Sequence, residues 1–263
     1  MIDVRGHRAL VTGGTQGVGR AIAVALAHAG ADVVVHGLHI DAEARHTQQL
    51  CESAGARVAL LEGDLAVSGE RAVNAVFDQA QQAMPGIDLL VNNAGSCFDR
   101  APFLDLDYAT FEQTMRLNVF APFLLTQRFA RAWVADGVAG RVLITGSING
   151  RLAEPQHSAY DTSKGAVEMM IKTLCVSLAP HGIRVNGLAP GLVYTPLTAA
   201  SLDDPRMRQW MEMHTPTGQV PGPDVCGDAA VFLLSDAASH VHGQMLLVDG
   251  GMSAWQQPEL PNA

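Results

Sequence analysis

The sequence predicts one α/β domain, a doubly wound parallel sheet of seven strands with helices on both faces. Three observations carry that expectation. Short apolar runs alternate with longer amphipathic segments along nearly the whole chain. The runs are continuously apolar, which marks strands covered by helices on both faces. A glycine-rich turn joins the first run directly to the first helical pattern. No Pro/Gly/Ser-rich linker and no short-period repeat divides the 263 residues, so residues 1–263 are expected to form a single domain.

Each element follows from a local pattern. The first strand covers 9–11, and a helix pattern runs over 20–29. A strand over 32–35 leads to a polar helix over 42–54. A strand over 58–61 precedes a helix over 69–84. The fourth strand, 87–91, is followed by one long helix from 108 to 134. The fifth, 142–144, precedes a long helix over 159–178. Strands over 184–188 and 244–248 complete the set of seven. Residues 195–224 hold five prolines and little periodicity. A long irregular stretch inside a compact domain reads as a substrate lid. Met207, Met211 and Met213 beside Trp210 suit an adaptable apolar cover. Residues 255–263 read as a tail.

Composition excludes several classes. Hydrophobic residues make up 48% and charged ones 16%, which rules out a disordered chain. The 17 basic and 26 acidic residues give a net charge of −9, so no general field attracts nucleic acid or an anionic membrane. No run approaches the roughly 18 apolar residues of a membrane helix. The start lacks the basic and apolar regions of a secretion signal. Cys51, Cys97, Cys175 and Cys226 are far apart and form no CxxC pair. They read as free thiols, and a cytoplasmic location is expected. His181, His214, His240 and His242 are dispersed, so no metal site is expected.

The turn Thr12-Gly13-Gly14-Thr15-Gln16-Gly17-Val18-Gly19 carries the first chemical signal. Glycines let backbone approach a pyrophosphate, and a helix N-terminus offers free N–H groups and a positive dipole end. The structural alternative is a tight turn that needs glycine anyway.

The second signal is Tyr160-Asp161-Thr162-Ser163-Lys164. Residues i and i+4 share a helix face, so phenol and ammonium project together. A nearby cation favours the phenolate and lowers the tyrosine pKa from about 10, fitting it for proton exchange. With three tyrosines and two lysines in the chain, chance spacing gives only about 0.02 such pairs. Ser147 ends the fifth strand, where open α/β sheets bind ligands. Its alternative is a turn cap. Asn118 sits in mid-helix, where asparagine is a poor helix former. Its alternative is a buried amide bonded to backbone.

Taken together, these motifs resemble the short-chain dehydrogenase/reductase family, whose domain is Rossmann-type. The resemblance runs from Gly6 to Ser253. It includes Gly63-Asp64-Leu65, Asn92-Asn93-Ala94-Gly95, Asn118, Ser147, Tyr160 with Lys164, Pro190-Gly191 with Val193 and Thr195, and Val248-Asp249-Gly250-Gly251. It implies an NAD(P)-dependent oxidoreductase that interconverts a secondary alcohol and a ketone. Tyr160 would be the general acid/base and Ser147 would polarise the substrate oxygen. Lys164 would lower the Tyr160 pKa and bind the nicotinamide ribose. Asn118 would hold a water that relays protons from Lys164. Gly13, Thr15, Gln16, Gly17, Val18 and Gly19 would cradle the pyrophosphate. Asp64 and Leu65 would border the adenine, and Asn92, Ala94 and Gly95 the middle of the cofactor. Pro190, Val193 and Thr195 would lie at the nicotinamide. Homotetramers, or homodimers, built on the long helices are implied.

Cofactor choice is normally set at the end of the second strand, by an acidic side chain for NAD or a basic one for NADP. Here Gly37 and Leu38 occupy those positions, and Gln16 stands where the loop often carries arginine. The missing acid favours NADP, with His36 or His39 as the nearest groups to a 2′-phosphate. Leu38 is expected at the adenosine ribose. Ser147, Asn149, His157 and Tyr160 are expected at the substrate, with Ser96, Cys97, Arg151, Glu154 and Tyr194 around them. This polar lining suggests a sugar, polyol or other polar alcohol. A 3-oxoacyl-thioester (acyl-carrier-protein) reductase docking through Arg128 and Arg131 is the rival. A non-catalytic nucleotide-binding sensor is the second alternative.

Overall fold

The computed structural model describes residues 2–67 and 69–255. Of the expected tail only Trp255 falls among them, and 256–263 lie outside the described residues.

One seven-stranded sheet organises the chain, in the order β3-β2-β1-β4-β5-β6-β7 with every pair parallel. β1 (Arg8–Val11) leads to α1 (Gly17–His28), and β2 (Asp32–Gly37) to α2 (Ala42–Ser53). β3 (Val58–Glu62) precedes α3 (Arg71–Ala83). β4 (Leu89–Asn92) precedes α4 (Tyr108–Met115) and α5 (Ala121–Asp136). β5 (Arg141–Thr145) precedes α6 (Ser158–Leu178). β6 (Arg184–Pro190) is followed by α7 (Ala199–Leu202), α8 (Pro205–Met213) and α9 (Gly227–Leu234), and β7 (Met245–Val248) closes the sheet. The chain crosses from β3 at one edge to β4 beside β1. That reversal places a crevice at the carboxyl ends of β1 and β4, where ligands enter such sheets.

Burial explains the unbroken apolar strands. On one face Val11, Val33 and Val35 pack with Ile22 and Leu26 of α1 and Val231 and Leu234 of α9. The other face buries Leu10, Val34 and Leu90 under Val76 and Phe77 of α3 and Leu125 and Phe129 of α5. Leu125, Phe129 and Trp133 recur every four residues, which makes one apolar stripe. Phe77 meets Phe129 edge-on at 4.8 Å, and the Trp133 indole donates to the Ile87 carbonyl at 2.7 Å. Each such side chain contributes about 1.5–3 kcal/mol through removal from water.

Two expectations need correction. The helix expected over 108–134 is interrupted by a π turn, Arg116–Phe120, with Asn118 at its middle. The wider turn lets the Asn118 side chain serve groups outside the helix. Residues 195–224 are also less irregular than expected, because Asp204 caps α8 by accepting from the Arg206 N–H at 2.9 Å, with Pro205 at the first helical position.

Candidate active site

The glycine-rich turn is held from below. Thr12 is buried, and its hydroxyl accepts from the Asn93 and Ala94 N–H groups at 3.0 and 3.1 Å. The Asn93 side chain donates to the Thr12 and Gly13 carbonyls at 3.1 and 3.0 Å. Gly13 has φ +60°, and a Cβ on it would lie 2.9 Å from the Ala94 Cα. A Cβ on Gly19 would lie 2.1 Å from the Gly13 carbonyl oxygen. No side chain caps α1 at Gln16, and its first turn holds no acidic residue. The amides of Gly17, Val18 and Gly19 therefore face outward without helical partners, as a pyrophosphate cradle requires. A cavity of about 430 Å³ opens beside them, lined by Gln16, Gly17, Arg20, Tyr194, Thr195 and Pro196 among others.

At the adenosine end Leu65 is buried. The Asp64 carboxylate accepts from the Ala66 N–H at 2.8 Å and so shapes its own turn. Leu38 is 55% exposed. The expectation that His36 reaches a phosphate fails. Its ring is buried with neither nitrogen hydrogen-bonded, and burial pushes its pKa down to about 4. Such an imidazole is neutral and gives a phosphate no charge. Asn92 also turns away from the crevice, donating to the Thr126 hydroxyl of α5 at 3.0 Å. Only its backbone is left to face a cofactor. Pro190, Val193 and Thr195 are buried at the end of β6 and just beyond it.

The Tyr160 phenol stands near the Ser147 side chain, which favours the phenolate. The Ser147 oxygen accepts from the Asn149 N–H at 3.1 Å. Lys164 is buried, its Nζ donating to the Thr145 carbonyl at 3.0 Å and lying 5.5 Å from the centre of the Tyr160 ring. The expected lowering of the Tyr160 pKa is not found in the ligand-free chain. Burial pushes the phenol up to about 12, against a lowering by the Ser147 side chain. Burial also pulls the ammonium down to about 8. Desolvation disfavours both charged forms and is the largest cause of both shifts.

Asn118 is fully engaged. Its Oδ1 accepts from the Ser96 N–H at 3.0 Å, and its Nδ2 donates to the Ser96 carbonyl and the Ser163 hydroxyl at 2.9 and 3.0 Å. The side chain thus ties the loop after β4 to α6. A second tie was not foreseen in the sequence. Asp99 is buried, and its carboxylate accepts from the Ala159 N–H at 2.8 Å, one residue before Tyr160. Their separation of 60 positions hides that contact from any local pattern. Asn93 was legible only as part of the Asn92–Gly95 motif, although it makes more contacts with the turn than its neighbours.

Polar groups gather at the mouth. The Asn149 amide donates to Asp161 at 2.8 Å and Glu154 at 3.1 Å. His157 Nδ1 lies 3.3 Å from Glu154, and its ring centre is 6.3 Å from that of Tyr160. Across the opening, the Tyr194 hydroxyl donates to Asp203 at 2.9 Å. Met207, Trp210 and Met213 are exposed on α8.

A family model described as "Enoyl-(Acyl carrier protein) reductase" matches residues 13–253. The chain belongs to the short-chain dehydrogenase/reductase family. It is 32% identical over 249 residues to the "L-rhamnose 1-dehydrogenase (NAD(P)(+))" of Sphingomonas sp. (strain SKA58), covering 95% of this chain and 97% of that one. Gluconate 5-dehydrogenase of Gluconobacter oxydans (strain 621H) is 35% identical over 256 residues, covering 96% of this chain and 97% of that one. The solved gluconate 5-dehydrogenase of Burkholderia cenocepacia J2315, in complex with NADP and tartrate, superposes with a TM-score of 0.89. It is 34% identical, with 97% of this chain and 98% of that one covered. This short-chain dehydrogenase/reductase is an NAD(P)-dependent oxidoreductase acting between alcohol and ketone. Among its described residues no helix is long and apolar enough to cross a membrane.

Proposed function

We propose that the chain oxidises a secondary hydroxyl of a sugar, aldonate or polyol, and reduces the matching ketone. The observation that carries this reading is the gathering of Ser147, Tyr160 and buried Lys164 at the carboxyl end of β5, with Lys164 Nζ bonded to the Thr145 carbonyl and 5.5 Å from the centre of the Tyr160 ring. Tyr160 takes or returns the proton of the reacting oxygen, and Ser147 donates to that oxygen. Lys164 holds its charge next to the phenol and reaches the cofactor ribose. Asn118 fixes the floor of the site, and with its side chain bonded to Ser96 and Ser163 its backbone is left for the water link to Lys164. When bound, the nicotinamide cofactor supplies the hydride chemistry. Its pyrophosphate fits the cradle of Gly13, Gly17 and Gly19, where a Cβ on Gly13 or Gly19 would intrude on backbone and Gly17 has φ +55°.

Asn149, Glu154 and His157 can meet the hydroxyls of such a substrate, and 195–224 forms the lid. The names of the rhamnose, glucose and gluconate relatives support this substrate class. The oxoacyl-thioester reading is weakened at one of its two docking cations. Arg128 lies 3.6 Å from Asp78 and packs over Phe77, so it is not a free docking cation. NADP is the favoured cofactor, since no carboxylate extends from the end of β2. The protein works in the cytoplasm as a homotetramer or homodimer. Four free cysteines and the exposed Phe120, Phe123, Met169 and Val176 on or beside α5 and α6 support this.

A nicotinamide absorbance screen over sugars, aldonates, polyols, hydroxy acids and acetoacetyl thioesters, with both cofactors, tests the reading. Turnover of polyhydroxylated substrates is expected. Activity confined to the thioester would overturn the substrate class, and light scattering checks the assembly.

A further inference from the structure

The glycine that ends β2 has an unexpected reason to be glycine. Gly37 is not among the positive-φ glycines, so its backbone suits any residue. Space is what excludes a side chain there. A Cβ on Gly37 would lie 2.4 Å from the Thr15 Cγ2 and 3.3 Å from the Thr15 Oγ1. Thr15 belongs to the glycine-rich turn, 22 residues away. It fills the volume through which a side chain would leave the end of β2.

Thr15 cannot readily give way. Its carbonyl accepts from Arg20 Nη2 at 2.6 Å, Arg20 Nε at 3.1 Å and the Thr47 hydroxyl at 2.9 Å. Arg20 is in turn paired with Glu43. These contacts pin the backbone, so only rotation about χ1 could move the methyl, and β-branching restricts that rotation. The acidic side chains nearby are already committed. Asp41 caps α2 by accepting from the Ala44 N–H at 2.9 Å. Glu62 accepts from the Ile40 N–H at 2.9 Å, and Glu43 holds Arg20. The Thr15 hydroxyl has no hydrogen-bond partner among the described residues.

We propose that Thr15 and Gly37 form one specificity pair, in which the threonine methyl excludes the acidic side chain that would select an unphosphorylated ribose. The pair leaves a subsite open to a 2′-phosphate, with the Thr15 hydroxyl as a neutral donor to it. This rests on the dinucleotide-dependent reading above and names what sets its cofactor preference. Leu38 and His39, which follow on the exposed bend, are then secondary.

Four variants test the pair: Gly37→Asp, Gly37→Ala, and each of these combined with Thr15→Ser, which removes the methyl. Binding is read by calorimetry with NAD, NADP, 5′-AMP and 2′,5′-ADP, and folding by melting the ligand-free proteins. The wild type is expected to bind NADP and 2′,5′-ADP at least as tightly as NAD and 5′-AMP. Gly37→Ala alone should lower Tm by roughly 2–6 °C, and Thr15→Ser should restore most of it. Gly37→Asp alone should weaken both dinucleotides. Gly37→Asp with Thr15→Ser should prefer NAD by about tenfold or more, the effect of roughly one ribose-reading interaction. Two results from the aspartate variants would overturn the proposal. One is a Gly37→Asp protein that is as stable as wild type and already selects NAD. The other is an unchanged cofactor ratio in the double variant. A wild type that binds neither dinucleotide refutes the functional reading instead. The Gly37→Ala melts still judge the steric pairing, and equal Tm values would refute it.

Discussion

Lys164→Met should make the ligand-free protein more stable at neutral pH while abolishing its activity. Lys164 is 6% exposed, and its ammonium has one hydrogen bond, to the Thr145 carbonyl, with burial as the sole cause of its shift from 10.5 to about 8. A depression of that size corresponds to about 3 kcal/mol of native-state penalty on the charged form, at roughly 1.4 kcal/mol per tenfold in acidity. Methionine fills similar volume without the charge. It leaves the Thr145 carbonyl without this donor, which costs about 1–2 kcal/mol. The net expectation is a gain of about 1–2 kcal/mol at pH 7 from these opposing effects.

The pH dependence gives the sharper signature. A native pKa below the unfolded one means that the unfolded chain holds the extra proton between about pH 8 and 10.5. Wild-type stability should therefore gain on the variant as pH rises through that window, because stability increases wherever the unfolded state binds more protons. Near pH 10.5 the variant's advantage should vanish or reverse. Urea unfolding of both proteins at half-unit intervals from pH 7 to 10.5 reads the difference, and other titrating groups cancel in it. A variant that is less stable than wild type by a constant amount across the range would refute the reasoning.

Tyr160→Phe should cut kcat by about 10²–10⁴, the usual worth of a positioned acid/base, with the ligand-free Tm within a few degrees of wild type. Ser147→Ala should lower kcat more than it raises KM, because the lost donor acts on the reacting oxygen. Gly19→Ala should weaken dinucleotide binding at least tenfold in calorimetry, since its Cβ would meet the Gly13 carbonyl oxygen at 2.1 Å, and backbone cannot yield as a side-chain tip can. Asp99→Ala should cost about 1–3 kcal/mol by leaving the buried Ala159 N–H without its carboxylate. Asp99→Asn should recover most of that stability, and equal stability of wild type and Asp99→Ala would refute the tie to α6.

The fold was legible because its determinants are local and repeated. Seven continuous apolar strands alternate with amphipathic helices, and small boundary errors do not alter the order. The glycine-rich turn and the Tyr160–Lys164 spacing were legible for another reason, since each encodes a fixed local geometry in residue type. What stayed hidden depends on partners distant in sequence. Nothing near Asp99 announces that its carboxylate caps a helix 60 residues later. His36 looked available because the sequence does not say on which side of β2 a ring is packed. The π turn at Arg116–Phe120 has no pattern of its own, and mid-helix Asn118 was its one local symptom.

The same division accounts for the failed expectation about the Tyr160 pKa. Spacing placed Lys164 beside Tyr160, and the structure does so. Spacing cannot report how dry that place is. Sequence reasoning supplied the attraction between ammonium and phenol but omitted the cost of removing both from water, and the cost is larger here. Tyr160 at about 12 and Lys164 at about 8 leave the ligand-free site with a neutral phenol near pH 7. Such a site holds a proton ready to give to a ketone oxygen. For alcohol oxidation the phenol must first lose that proton, so the oxidative direction should gain more than the reductive one from raised pH. Measuring kcat/KM in both directions from pH 6 to 10 decides this, and parallel profiles would show that the two pKa values do not govern the reacting state.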